Sequence, residues 1–207
     1  MNLANSLTFL RIALAPVFFV VYLLPRFFPS LFANGVTWTI PVLWSVFIVS
    51  EITDYFDGLA ARKLNLTSDF GKLFDPFADT LVQLTCFLCF IIDDIYPVNG
   101  MIPAALFLIV IYREFSVLFL RNLMLKNGIT LAARMSGKIK TVVYIIAVGA
   151  ALLAASIERL AAWESILRYF KTGALVIFII SVIFAVASFI DYFLIYKKTK
   201  KTRENIK

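Results

Sequence analysis

The chain has 207 residues, 61% of them hydrophobic and 16% charged, with two cysteines and no histidine. A mean hydropathy of +0.90 exceeds that of soluble domains, and the length is that of one domain. The expectation is therefore one all-α integral membrane domain, residues 1–207. The net charge of +7 fits basic residues flanking membrane spans and meeting anionic lipid headgroups, and no nucleic-acid partner is expected.

Taken in order, apolar runs long enough to cross a bilayer predict six spans, near 8–28, 37–60, 73–93, 101–124, 139–158 and 172–196. The start, MNLANSLTFLRIALAP, is polar at Asn2, Asn5, Ser6 and Thr8. It is expected to form a short interfacial helix before span 1 rises, and not a cleaved signal peptide. Cys86 and Cys89 make a C-x-x-C inside span 3. With no histidine and no other cysteine, they cannot complete a zinc site, and they are expected to pack as small apolar residues. The segment 157–171 has an amphipathic pattern and is placed on the outer surface. Of the 20 basic residues, Arg26, Arg159, Arg168 and Lys171 fall at the odd-numbered connections. The other 16 lie at the N-terminal end, the even-numbered connections or the C-terminal tail. The positive-inside rule then puts both termini in the cytoplasm.

One stretch stands apart, DYFDGLAARKLNLTSDFGKLFDPFAD, residues 54–79. Charged side chains at membrane depth are costly and mark functional sites. On a helix, Asp54 and Asp57 lie roughly 60° apart, with Gly58, Ala61 and Arg62 on the same face. Gly71, Asp75 and Asp79 repeat at four-residue spacing on the next helix. A loop of about eight residues makes the two helices antiparallel neighbours whose acidic faces can meet. Four converging carboxylates repel unless cations neutralise them, and oxygen-only ligands favour Mg²⁺ or Mn²⁺. Four negative charges match two divalent ions. Gly58 and Ala61 leave open space, and Arg62 can fork onto a phosphate. Together these features point to a diphosphate substrate. A plain ion-pair network between buried helices is the competing reading.

The spacing Asp54-x2-Asp57-Gly58-x2-Ala61-Arg62-x8-Gly71-x3-Asp75-x3-Asp79 resembles the signature of the CDP-alcohol phosphotransferase family, with all eight defining positions filled. The resemblance implies metal binding by Asp54, Asp57, Asp75 and Asp79, and CDP contacts from Gly58, Ala61, Arg62 and Gly71. It also implies a catalytic role for Asp79 as general base. An unperturbed aspartate, with a pKa of about 3.9, is a weak base. Burial would raise that value and nearby metals would lower it. In the family, an alcohol attacks the lipid-side phosphorus of CDP-diacylglycerol, and CMP leaves. Family members often pair through membrane helices, so a homodimer is expected in the inner membrane.

Downstream, Arg113, Arg121, Arg134, Lys138 and Lys140 gather near the ends of spans 4 and 5. They suit an anionic acceptor, although Arg113 with Glu114 also reads as a buried ion pair. Arg113-Glu114-Phe115, Arg121, Gly137-Lys138-x-Lys140-Thr141 and Asp191-Tyr192 resemble the phosphatidylglycerophosphate synthases of this family, as does Asn5-x2-Thr8-x2-Arg11. That similarity implies glycerol 3-phosphate as the acceptor, with residues 113–140 holding its phosphate. One departure is Thr80, where lysine often follows the last aspartate. Serine, inositol phosphate, phosphatidylglycerol or a CDP-linked headgroup are the alternatives within the family. A membrane prenyltransferase or a transporter is more remote.

Overall fold

The computed structural model describes residues 3–32, 38–64, 69–126, 135–160 and 164–204; within them, the side chains of 3–5, 31, 55–64, 69–73 and 200–204 lie outside the description. Six α-helices and one short 3₁₀ turn, Pro29–Phe32, make up the described chain. The helices are α1 (Leu3–Phe27), α2 (Thr39–Leu64), α3 (Asp69–Ile92), α4 (Met101–Lys126), α5 (Met135–Arg159) and α6 (Glu164–Glu204). They match the six apolar segments read from the sequence. Five are long and apolar enough to cross a membrane. Over its described residues α2 is not among them; its second half carries Glu51, Asp54 and Asp57.

Two boundaries differ from expectation. Residues from Leu3 onward form one helix through Phe27, so no break separates an interfacial helix from the first span. Proline at 16 lies inside that helix, where neighbouring helices and an apolar setting tolerate it. At the other end of the chain, α6 has 41 residues, or about 60 Å at the helical rise. That is twice the hydrocarbon thickness, so the basic tail after Tyr196 continues a helix. The segment 157–171 is divided between the end of α5 and the start of α6, joined by a Lys171–Glu158 salt bridge of 2.6 Å.

Packing follows side-chain size. α5 turns Ala147, Ala151, Ala154 and Ala155 inward, and α6 answers with Ala174, Ser181, Ala185 and Ser188, all buried. Small faces let two membrane helices approach closely. α1 packs against both α2 and α3, and α3 also meets α4 and α5. Aromatic rings fill the centre: Phe87 lies 5.4 Å from Tyr144 and 5.0 Å from Phe178, and Phe18 and Tyr22 meet Phe90 edge-on. Cys86 and Cys89 sit in this core, free and buried, as small apolar residues do. Hydroxyls inside the helices donate to carbonyls one turn back, as Thr53 does to Val49 and Ser156 to Leu152. No polar hydrogen of these side chains is then left facing hydrocarbon.

α3 ends in a Schellman turn. Asp94 adopts a left-handed φ of 51°, its amide donates to Ile91 O, and the Ile95 amide donates to Phe90 O. Aspartate tolerates that conformation, and buried Ile95 caps the turn. The turn presents Asp93 to α1 and α5.

Candidate active site

Because the helices alternate in direction, the starts of α1, α3 and α5 and the ends of α2, α4 and α6 share one end of the bundle. The acidic stretch and the basic cluster both fall there. Asp54 comes from α2, and Asp75 and Asp79 from α3. These three carboxylates meet, but the helix that joins them is α1. Arg11 Nη1 donates to Asp54 Oδ1 at 2.6 Å and also to Asp79 Oδ1. Arg11 Nη2 lies 4.0 Å from Asp75 Oδ1, and Thr8 donates to the same oxygen at 2.5 Å. Among the described residues, α1 packs along both α2 and α3. The acidic faces of α2 and α3 meet as expected, with Asp54 beside Asp79, and α1 braces them through Arg11. Phe9 against Phe74, at 6.3 Å between ring centroids, holds the same α1–α3 seam.

Arg11 is 1% exposed, while the Asp54, Asp75 and Asp79 side chains keep 41%, 37% and 33% of their surface. The guanidinium is sealed inside and the carboxylates face outward. What they face is a cavity of about 710 Å³. On its far side lie Arg113, Arg121, Lys138 and Lys140. Thr80, the position that departs from the usual lysine, lines it too. Two clusters that are 34 to 86 positions apart in the sequence thus share one space.

The cations are not equivalent. Arg113 is buried and fully engaged: Nη1 donates to Glu114 Oε1 at 2.6 Å, Nη2 to Ser188 at 2.8 Å, and Nε to Ala185 O at 3.2 Å. Lys140 donates to the same Glu114 oxygen at 3.1 Å and sits 4.2 Å over the Tyr144 ring. These three charges tie α4, α5 and α6 together. Arg121 is held by Tyr192, whose hydroxyl accepts from Nη2 at 2.6 Å and whose ring lies 5.2 Å from the guanidinium. Lys138 is exposed at the cavity's edge. Gly137 packs closely beside them: a Cβ there would sit 3.2 Å from the Tyr192 hydroxyl. Ser136 donating to Asp191 at 2.6 Å fastens the same corner.

Several expected site residues cannot be placed by side chain. Asp57, Gly58, Ala61 and Arg62 fall on the helical backbone of α2, and Gly71 on that of α3; their side chains lie outside the described residues, as does all of Arg134. Among the described residues no group of three has metal-ligating geometry. The donor chemistry nevertheless fits a divalent cation: three oxygen-bearing carboxylates face one cavity, with Arg11 the guanidinium that all three share. The carboxylate assembly also includes Thr8 and Arg11, which the motif's spacing does not contain. The signal for them was Asn5-x2-Thr8-x2-Arg11, one helix face of polar residues at the start of an apolar run.

Known proteins resemble this chain along most of its length. The family model described as CDP-alcohol phosphatidyltransferase matches residues 1–187. A CDP-diacylglycerol–glycerol-3-phosphate 3-phosphatidyltransferase of Treponema pallidum is 38% identical over 201 residues, covering 93% of this chain and 88% of its own. The protein of the same description from Bacillus subtilis is 39% identical over 154 residues, covering 73% and 77%. A probable phosphatidylglycerophosphate synthase of Mycobacterium tuberculosis is 33% identical over 151 residues, covering 72% and 64%. An acidic wall, a basic wall and the cavity between them stand on a helical bundle matched by that model nearly from end to end, and the chain belongs to the CDP-alcohol phosphatidyltransferase family, a family of transferases.

Proposed function

We propose that this protein transfers the phosphatidyl group of CDP-diacylglycerol to glycerol 3-phosphate, giving phosphatidylglycerophosphate and CMP. The observation that carries this reading is the shared cavity, with three carboxylates on one wall and four cations against one glutamate on the other. An acidic wall alone would serve a diphosphate donor. The basic wall adds a place for an acceptor that is itself anionic. The names of the relatives from Treponema pallidum and Bacillus subtilis support the same pair of substrates.

In this reading the acceptor's hydroxyl attacks the phosphorus on the lipid side of the diphosphate. The P–O bond to CMP breaks, and the hydroxyl proton passes to Asp79. Asp54, Asp57, Asp75 and Asp79 would hold two Mg²⁺ or Mn²⁺ ions, which when bound offset the charge of the diphosphate and of departing CMP. Gly58, Ala61, Arg62 and Gly71 contact the CDP portion. Arg121 and Lys138 carry the acceptor phosphate. Arg113 and Lys140, each paired with Glu114, add positive potential and hold the wall in place. In hydrocarbon this preorganised charge acts with little screening.

The protein then sits in the bacterial inner membrane with α2 as a sixth crossing, both termini and the cavity toward the cytoplasm, and a second copy as partner. The distribution of basic residues supports that orientation. The acyl chains remain in lipid while the headgroup meets the soluble acceptor.

The test is CMP release by purified protein in detergent with CDP-diacylglycerol and Mg²⁺, offering glycerol 3-phosphate, serine, inositol phosphate and phosphatidylglycerol in turn. Release with glycerol 3-phosphate alone is expected. Release with serine instead, which carries no net charge, would keep the chemistry and overturn the role of the basic wall.

A further inference from the structure

Arg11 belongs to neither substrate wall. It does not line the cavity, it is 1% exposed, and yet it reaches Asp54, Asp75 and Asp79 at once. It comes from α1, while the carboxylates come from α2 and α3, 43 to 68 positions away. It meets each of the three carboxylates at its Oδ1 oxygen. Thr8, one turn earlier, adds a hydroxyl to Asp75. A guanidinium is charged at every physiological pH and presents several donors in one plane. It is suited to bridging three carboxylates that would otherwise repel each other.

We propose that Arg11 is a positioning residue, a built-in counter-cation that clamps Asp54, Asp75 and Asp79 from behind and thereby sets how tightly the acidic wall takes a divalent ion. The inference rests on the reading that these carboxylates hold divalent cations. Its content is separate: the clamp keeps the wall assembled when no ion is bound, and its charge weakens ion binding. Both effects follow from Coulomb's law at these separations. The guanidinium offsets one of the three carboxylate charges, and a divalent ion on the cavity side feels it across a few ångströms of weakly screening protein. Without Arg11 the wall carries a full extra negative charge. That gain in attraction outweighs the lost ordering of three short side chains anchored on helices.

The experiment compares wild type, Arg11→Met and Arg11→Lys in detergent, measuring Mn²⁺ binding by electron paramagnetic resonance of the free ion and thermal unfolding with and without Mn²⁺. Arg11→Met is expected to bind Mn²⁺ about tenfold more tightly than wild type. Its metal-free Tm falls by several degrees, and Mn²⁺ raises that Tm more than it raises the wild type's. Arg11→Lys retains the charge but not the fork, so its Mn²⁺ affinity stays within about twofold of wild type while its metal-free Tm falls partway. An Arg11→Met protein recoverable only from Mn²⁺-containing buffer supports the proposal. Unchanged or weaker Mn²⁺ binding in Arg11→Met overturns it, as does failure to recover that variant even with Mn²⁺ while Arg11→Lys matches wild type in both measurements. If wild type itself binds no Mn²⁺, the metal reading of the carboxylates falls first, and the two failures are told apart by that arm alone.

Discussion

The two ends of the bundle spend charge in different ways. At the end opposite the cavity, Asp93 is surrounded. Tyr22 donates to it at 3.0 Å, and Arg159 and Arg26 approach within 3.7 and 3.8 Å. Arg159 also donates to Tyr22 O at 2.8 Å and to Thr39 at 3.4 Å, and lies 4.3 Å over the Tyr22 ring. Burial pushes the Asp93 carboxyl above its ordinary pKa, and the Arg159 guanidinium and the Tyr22 hydroxyl pull it back. One carboxylate meets two guanidiniums, four helices are stitched together, and none of these residues lines the cavity. On the acidic wall of the cavity, Asp54, Asp75 and Asp79 share the Arg11 guanidinium and keep 41%, 37% and 33% of their surface open, against 28% for Asp93. Charge that is fully partnered holds helices in register; carboxylates that outnumber their partners and face a space are available for chemistry. Both ends look alike in the sequence as acidic and basic residues near helix termini. The balance of partners separates them.

That contrast can be broken most sharply at Asp79. An Asp79→Asn protein should lose about a thousandfold in CMP release at saturating substrates, with its Tm unchanged or slightly raised because one repelling charge is gone. A variant that keeps a tenth of the activity would take Asp79 out of the reaction. The basic wall gives the next largest effect. Joint Arg121→Gln and Lys138→Gln substitution should raise KM for glycerol 3-phosphate about thirtyfold with kcat within threefold, since both groups act in binding. A fall in kcat at unchanged KM would contradict this.

The opposite end should respond in stability and not in rate. Arg159→Gln leaves a partly buried Asp93 without its nearest guanidinium and should cost about 2 kcal/mol, a Tm loss of several degrees in detergent. Its kcat should stay within twofold of wild type. A larger change in kcat with an unchanged Tm would mean that the two ends are coupled. The smallest effect is expected from Gly137→Ala. The added Cβ presses on the Tyr192 hydroxyl, loosens its hold on Arg121, and should raise KM for the acceptor a few-fold while leaving the donor's KM alone.

Much of this was legible without coordinates. Six apolar segments at bilayer length announce six helices, and the described helices lie where those segments do. The four-residue spacing of Asp75 and Asp79 puts them on one face, and both reach the cavity. Cys86 and Cys89, lacking partners for a metal, are core residues. The unbroken helix through residues 3–27 was less legible, because polar residues at its start match an interfacial segment as well as a site-facing one. Thr8 and Arg11 have both appearances until their partners are known. The basic cluster read as five cations, with an Arg113–Glu114 ion pair as a competing reading of one of them. Glu114 makes them unequal, since it claims Arg113 and Lys140 and leaves Arg121 and Lys138 to the cavity edge.

The sequence by itself determined the helices, their alternating ends and the chemical type of each wall, because apolar length and residue periodicity are local properties that a helix reads out directly. Only the tertiary structure decided which faces meet. Arg11 finds Asp54 and Asp79 because α1 packs between α2 and α3. Arg113 finds Ser188 because small residues let α6 come close. Contacts across dozens of positions depend on how helices of particular widths fill one core, and no local pattern records that.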